Sequence, residues 1–130
     1  MTQNFDTLYE MYKNPANKGF LKKYTNKGEC SNLLCGDKIE IFLIVKNDTI
    51  KEAKFKGYGC VISQASASLL TDFVKNKKID NIMKLERKDM EKLIDYEVSA
   101  ARVKCLMCCL IALKKTLSSG KEKNAKNKQT

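Results

Sequence analysis

The sequence predicts an α/β protein of the α+β type, with a small, mainly antiparallel sheet and several helices. A β-branched run from Ile39 to Val45 is followed by turn residues and by an alternating run from Ile50 to Tyr58, the pattern of an antiparallel hairpin. Apolar residues before and after the hairpin recur at helical spacing. The 130 residues are predicted to form one domain, residues 1–118, followed by a disordered basic tail, residues 119–130.

The other elements follow in chain order from apolar spacing and from residues that end helices. A first amphipathic helix over residues 4–13 ends at Asn14-Pro15, because the residue before proline avoids helical angles. Residues 20–32 are rich in lysine and predict at most one edge strand. After the hairpin, the spacing predicts a helix over residues 63–75, two short helices within residues 79–94 and a last helix over residues 99–117.

The last predicted helix is apolar on two sides. Large aliphatic residues form one stripe, and small residues form a second face roughly opposite: Val103, Leu106, Leu110, Leu113 and Leu117 on the first, Ala101, Cys105, Cys108 and Ala112 on the second. A helix with two apolar sides is usually buried on both, so we expect this helix to lie at the centre of the domain.

Composition excludes several classes of function. The net charge is +10, but lysines are scattered, arginine occurs only at Arg87 and Arg102, and no basic stretch alternates with aromatics. This distribution is typical of a solvated surface and predicts no nucleic-acid partner. The chain has no histidine, which excludes Ser-His and Cys-His nucleophile pairs and histidine metal ligands.

Cysteine usage and hydropathy indicate the compartment. No apolar run is long enough to span a bilayer, and the first residues lack the pattern of a signal peptide, so we expect a cytoplasmic protein without membrane contact. Six cysteines in the cytoplasm are expected to be reduced. They are therefore interpreted as ligands, nucleophiles or packing residues rather than as disulfides.

One cysteine lies at a predicted junction between strand and helix. Gly57 and Gly59 allow a sharp turn before Cys60, and Ser63 is a plausible N-cap for the helix that follows. The positive end of the helix dipole would favour the thiolate form of Cys60, which binds metal and attacks sulfur. The alternative is a cysteine buried for packing alone.

The hairpin predicts a site for a soft metal. It brings Cys35, Asp37 and Cys60 to the same end of the sheet, and the last helix can add Cys105. Three thiolates and a carboxylate suit either a tetrahedral zinc or an iron–sulfur cluster. The hard carboxylate among soft thiolates would make the bound group easier to exchange.

Short motifs occur in a fixed order across residues 4–117 and resemble a known family. They are Asn14-Pro15 with Asn17 and Gly19, Cys35-Gly36-Asp37, Phe55-Lys56-Gly57-Tyr58-Gly59-Cys60, Ser63 with Ala65-Ser66-Ala67-Ser68, and Arg102-Val103-Lys104-Cys105. In this combination the chain resembles the iron–sulfur cluster assembly scaffolds of the IscU, SufU and NifU N-terminal type.

The resemblance implies a SufE/NifU-like fold, an α/β sandwich with a three-stranded sheet and helices on one face. It implies that Cys35, Asp37, Cys60 and Cys105 bind iron or a transient [2Fe-2S] cluster, and that Cys105 or Cys35 accepts persulfide sulfur. The implied partners are a pyridoxal phosphate-dependent cysteine desulfurase, which donates sulfur, and apo iron–sulfur proteins, which receive the cluster. Such a protein is a scaffold rather than an enzyme, as a monomer or as a dimer around a cluster.

A second function stays open, that of a zinc-binding sulfur carrier that activates the desulfurase. Lys104 favours it, because SufU-like members carry lysine before the last cysteine where IscU-like members carry histidine. The spacing from Cys60 to Cys105 opposes it, because the segment that SufU-like members insert there is missing. Zn²⁺ would then replace the cluster.

Three cysteines and two cations remain without an assigned role. Cys30 has no partner pattern nearby and is interpreted as incidental. Cys108 and Cys109 follow Cys105 at i+3 and i+4, so they either relay persulfide or exchange as ligands, or else replace small apolar residues in a buried helix. Arg102 and Lys104 either hold thiolate charge or form a solvated pair.

Overall fold

A computed structural model describes residues 5–32 and 36–129, with side chains described as far as residue 118. Five α-helices, three strands and one 3-10 turn occur in this part of the chain. In order they are α1 (Phe5–Lys13), β1 (Asn26–Asn32), β2 (Asp37–Lys46), β3 (Thr49–Tyr58), α2 (Val61–Phe73), α3 (Ile79–Met83), α4 (Arg87–Ile94), the 3-10 turn (Ala100–Arg102) and α5 (Val103–Gln129).

The sheet has the strand order β1-β2-β3 with both pairs antiparallel, which confirms the predicted hairpin and edge strand. Asn47 and Asp48 join β2 to β3 with positive φ angles of 55° and 60°, as a tight hairpin turn requires. The register shifts between Ile44 and Val45, so that Val45 is only partly buried although simple alternation places it in the core.

Helices α2 and α5 cover the apolar face of the sheet. Ile39, Ile41 and Leu43 of β2 are fully buried there, and α5 packs on β1 and β2 while α2 packs on β3 and on α5. The burial of Leu106 and Leu110 on one side of α5, and of small residues on the other side, confirms that this helix is central. The α+β architecture predicted from the sequence is therefore present.

The loop after α1 is attached to both layers. Asn17 has a positive φ of 64°, and its carbonyl oxygen accepts a hydrogen bond of 2.9 Å from the Phe55 N–H of β3. On the other side, Ser68 Oγ of α2 accepts a hydrogen bond of 2.9 Å from the Ala16 N–H. The small Ser68 side chain lets the loop approach α2 closely enough for this hydrogen bond.

The last residues of α5 coincide with the segment predicted as a tail. The sequence predicts disorder over residues 119–130, whereas the backbone of α5 continues as a helix to Gln129. The segment is rich in lysine, which has good helix propensity, and adding residues to a helix that is already formed and packed is far easier than starting one. None of the helices in residues 5–32 and 36–129 is both long and apolar enough to span a membrane.

Candidate metal centre

Asp37 and Cys60 meet at one end of the hairpin. Asp37 is the first residue of β2, and Cys60 follows the last residue of β3, Tyr58, which pairs with Lys38. The Cys60 N–H donates a hydrogen bond of 3.2 Å to Asp37 Oδ1. The juxtaposition that the hairpin predicts for these two residues is therefore present.

Two glycines allow this end of the hairpin to close. Gly57 has a φ of +146°, and a Cβ there would overlap the carbonyl group of Lys38 on the paired strand. Gly59 has a φ of +153°, and a Cβ there would overlap both Asp37 Oδ1 and Ser63 Oγ. Only glycine therefore lets the Asp37 carboxylate lie against the backbone before Cys60.

Helix α2 begins earlier than the sequence predicts, and the N-cap is Cys60 rather than Ser63. The Cys60 carbonyl oxygen already accepts the first intrahelical hydrogen bond, from the Gln64 N–H at 3.1 Å. Ser63 lies inside the helix, where its hydroxyl donates to the same carbonyl oxygen at 3.1 Å. Cys60 thus lies at the N-terminus itself, where the helix dipole favours negative charge.

Helix α5 contributes Cys105, which completes a three-residue cluster. The ligand atoms of Asp37, Cys60 and Cys105 all lie within 4.8 Å of one another. Asp37 and Cys105 are buried, whereas Cys60 is partly exposed. The cluster is therefore open on the Cys60 side and closed toward the core.

The donor set of this cluster fits a soft metal ion or an iron–sulfur cluster. Asp37 Oδ2 is buried and has no hydrogen-bond partner among the described residues, which is costly for a carboxylate unless a cation is bound. Burial raises the pKa of Cys105, and hydrogen bonds with Asp37 and Cys60 raise it further. A bound metal would reverse this effect, because a coordinating thiol is deprotonated.

Arg102 provides the positive charge beside these thiols. A hydrogen bond with Cys105 and the charge of Cys60 raise the pKa of the Arg102 guanidinium. In return, the guanidinium acts to lower the pKa of Cys105 against the larger effect of burial. The sequence left Arg102 undecided between a charge partner and a solvated residue, and these contacts favour the charge partner. The spacing of three residues between Arg102 and Cys105 is the sequence feature that predicts this contact.

The other candidate residues have different positions. Cys35 lies outside the described residues, and its neighbour Gly36 is exposed with a φ of +70°. Lys104 is exposed. Cys108 lies against Cys30, and its Sγ is 3.5 Å from the Cys30 carbonyl oxygen, a contact that the sequence interpretation of Cys30 missed. The structure therefore brings together three of the four proposed ligands.

The chain is similar to several known proteins. A family model described as the NifU-like N terminal domain matches residues 3–127. The zinc-dependent sulfurtransferase SufU of Bacillus subtilis is 34% identical over 134 aligned residues, covering 86% of this chain and 90% of that protein. The iron-sulfur cluster assembly scaffold protein IscU of Thermotoga maritima is 34% identical over 116 residues, covering 77% of this chain and 82% of that protein.

Solved structures show the same fold at lower identity. A NifU-like N-terminal protein from Brucella abortus matches with a TM-score of 0.73 and 16% identity, over 89% of this chain and 92% of that chain. FiSufU from Fervidobacterium islandicum AW-1 also matches with a TM-score of 0.73, at 24% identity, over 85% of this chain and 93% of that chain. These likenesses establish the α+β fold.

Proposed function

Because the chain belongs to the family of NifU-like N-terminal domains, we propose that it is a scaffold on which an iron–sulfur cluster is assembled and from which it is released. The observation that supports this most strongly is the cluster of Asp37, Cys60 and Cys105, with ligand atoms within 4.8 Å of one another. Cys35, which precedes Asp37 by two residues, is the fourth proposed ligand.

The chemistry follows from the ligand types. A cysteine desulfurase delivers sulfur as a persulfide on Cys105 or Cys35. After an electron donor has reduced this sulfur to sulfide, sulfide and iron form a [2Fe-2S] cluster held by the three thiolates and Asp37. Carboxylate is a hard ligand that binds thiophilic metals less firmly than thiolate, so Asp37 makes the cluster easier to release. An apo-protein then receives the cluster by exchange of its own thiolates.

The surroundings of the site suit this role. Cys60 is the partly exposed member, so a partner thiolate can approach the cluster from its side. Arg102 is exposed beside Cys60 and Cys105 and can offset the charge of an arriving persulfide. The chain supplies ligands and a sulfur acceptor, and we expect it to act in the cytoplasm with the desulfurase and with apo iron–sulfur proteins as partners.

Anaerobic reconstitution tests the scaffold function. Purified protein incubated with ferrous iron and sulfide should develop visible charge-transfer absorption, which should be lost in Cys35→Ala and Cys60→Ala. Cys109→Ala is the matched control, because Cys109 is buried in the same helix as Cys105 but is not a proposed ligand. Its thiol donates a hydrogen bond of 3.7 Å to the Leu106 carbonyl oxygen. A wild-type protein that remains colourless would contradict the proposal.

The second candidate is a zinc-binding sulfur carrier that activates the desulfurase. It is favoured by the 34% identity to a protein named as a zinc-dependent sulfurtransferase. Asp37, Cys60, Cys105 and Cys35 would hold the zinc ion, which when bound keeps the thiols ionised at neutral pH. The alignment has 134 positions, more than the 130 residues of this chain. Some positions are therefore filled only by the relative, which carries residues that this chain lacks.

Metal analysis separates the two candidates. Protein purified without added iron should contain little zinc if it is a scaffold, and its cluster should transfer to an apo-ferredoxin. About one tightly held zinc per chain, together with stimulation of a cysteine desulfurase, would favour the sulfur carrier. The Cys60→Ala variant serves as the site-specific control in both assays.

A further inference from the structure

A second pair of thiols lies beside the candidate metal centre. Cys30 of β1 and Cys108 of α5 face each other, and Cys108 Sγ donates a hydrogen bond of 3.5 Å to the Cys30 carbonyl oxygen. Burial, together with the charge of the neighbouring Cys30 thiol and a hydrogen bond with it, raises the pKa of Cys108 to about 12. The Cys108 thiol is thus in direct contact with Cys30.

The packing of α5 on β1 explains this contact. Asn26, Gly28 and Cys30 alternate toward the helix, and the Asn26 side chain donates to the Thr116 carbonyl oxygen at 3.3 Å. A Cβ at Gly28 would lie 2.9 Å from the Thr116 Cα, so the helix backbone comes very close to the strand. Cys30 and Cys108 are brought together two turns further along the same interface.

The two thiols differ in access. Cys108 is 1% exposed, whereas Cys30 is partly exposed at the edge strand of the sheet. A small sulfur donor can therefore reach Cys30 from solvent and can reach Cys108 only through Cys30. The carboxylate of Asp37 also acts electrostatically on Cys108, which places the pair next to the proposed ligands.

Assembly of a cluster from persulfide needs electrons. Persulfide carries sulfane sulfur, in the zero oxidation state, whereas the bridging atoms of a [2Fe-2S] cluster are sulfide. We propose that Cys30 and Cys108 form a dithiol that reduces sulfane sulfur to sulfide beside the cluster site. This inference rests on the proposed function for the source and the destination of the sulfur.

Both steps are ordinary thiol exchange. The Cys30 thiolate attacks the outer sulfur of an incoming persulfide, which gives a Cys30 persulfide and releases the donor thiol. The Cys108 sulfur then attacks Cys30 Sγ, so that the S–S bond of the persulfide breaks and the outer sulfur leaves with its electron pair and a proton as hydrogen sulfide. The two thiols become a Cys30–Cys108 disulfide, and an external dithiol reductant must reduce it before the next round.

The reaction can be followed with glutathione persulfide as the donor. Full-length, reduced, metal-free protein is treated anaerobically with one equivalent of donor. Released sulfide is measured by the methylene blue reaction, and the sulfur linkages are mapped by mass spectrometry of peptides. Wild type and Cys109→Ala should release about one sulfide per chain and form a disulfide between Cys30 and Cys108.

The variants separate the two steps. Cys108→Ala should keep the sulfur as a persulfide on Cys30 and lose most of the sulfide release, and Cys30→Ala should show neither product. The wild-type peptide map is a test that needs no variant to fold. A Cys30 persulfide that is never discharged in wild type, or equal sulfide release from wild type and Cys30→Ala, would overturn the inference.

Failure of this inference can be told apart from failure of the proposed function. Cys30→Ala leaves all four proposed ligands in place, so reconstitution of that variant with iron and inorganic sulfide should still give the coloured cluster. When glutathione persulfide and the external dithiol reductant replace inorganic sulfide, cluster yield should fall about fivefold in Cys30→Ala relative to wild type. If wild type and Cys30→Ala gave equal cluster yields with glutathione persulfide, the dithiol proposal would be contradicted. If wild type remained colourless with either sulfur source, the scaffold proposal would be contradicted.

Discussion

The carboxylate of Asp37 is held by the backbone of Cys60, whose N–H donates a hydrogen bond of 3.2 Å to Oδ1. Its second oxygen, Oδ2, is buried and has no hydrogen-bond partner in the described part of the chain. One proposed ligand therefore positions another before any metal is bound. The free oxygen remains available to a metal, because the backbone hydrogen bond uses only Oδ1.

Replacing Asp37 should slow the release of cargo. In Asp37→Ala, a reconstituted cluster should persist longer and transfer to an apo-ferredoxin about tenfold more slowly, which corresponds to about 1.4 kcal/mol in the barrier. Decay of the visible absorption and the kinetics of transfer measure this effect. Asp37→Asn, which keeps an acceptor for the Cys60 N–H, separates loss of the ligand from loss of that hydrogen bond. An unchanged transfer rate would contradict the proposed role of Asp37.

Gly59→Ala should disrupt the site more than its small size suggests. A Cβ at this position overlaps Asp37 Oδ1 and Ser63 Oγ, so we expect a loss of about 1–3 kcal/mol in unfolding free energy and much weaker metal retention. Gly19→Ala is a matched control, since Gly19 also has a positive φ, +139°, but a Cβ there would meet no heavy atom of the described residues within 4 Å beyond its chain neighbours. Urea denaturation and metal titration compare the two variants, and equal metal affinity would argue against this steric role.

Arg102 should control the reactivity of the metal-free thiols. In Arg102→Gln, the guanidinium no longer lowers the pKa of Cys105, so alkylation of that thiol by iodoacetamide should be several-fold slower at neutral pH, and its pH profile should move to higher pH. Arg102→Lys should restore part of the rate. Lys104→Gln removes a charge two residues away and is the control, and an equal effect of both substitutions would show that only net charge matters.

The metal-free protein should lose stability at high pH. Burial raises the pKa of Cys109 above the ordinary thiol value of 9.0, so the folded state holds a proton that the unfolded state releases. The contribution of the protonated Cys109 thiol to the free energy of unfolding is therefore complete below pH 9. Above pH 9 the free energy of unfolding falls by up to about 1.4 kcal/mol per pH unit. Urea denaturation between pH 8 and pH 10.5 measures the slope. Cys109→Ala should show a shallower slope, and a slope identical to wild type would contradict this assignment.

The sequence correctly predicts the hairpin and the proximity of Asp37 and Cys60 that follows from it. Alternating residues and a polar turn determine which strand ends meet, and this is sufficient to place Asp37 beside Cys60. The start of α2 is predicted less well, because serine at position 63 has the stronger capping preference, whereas the observed N-cap is Cys60. Here the tight turn through Gly59 decides where helical angles can begin.

Local sequence patterns do not predict contacts between elements that are distant in the sequence. Cys30 has no partner pattern in its own segment, because its neighbour Cys108 lies 78 residues further along the chain. The amphipathic pattern of α1 is also only partly used: Leu8 is buried, but Phe5 and Tyr9 remain exposed and stack on each other. Both facts depend on how helices dock, which spacing within one helix does not determine.

The position of Cys105 on a helix that is buried on two sides has a consequence for local opening. In hydrogen-exchange terms, the amides of α5 around Cys105 should belong to the slowest-exchanging part of the protein, which opens only when the whole domain unfolds. Cys60 instead lies just after β3, as the N-cap of α2, and is partly exposed. We therefore expect the Cys105 side of the site to persist through local fluctuations, and the Cys60 side to open and close without unfolding of the domain.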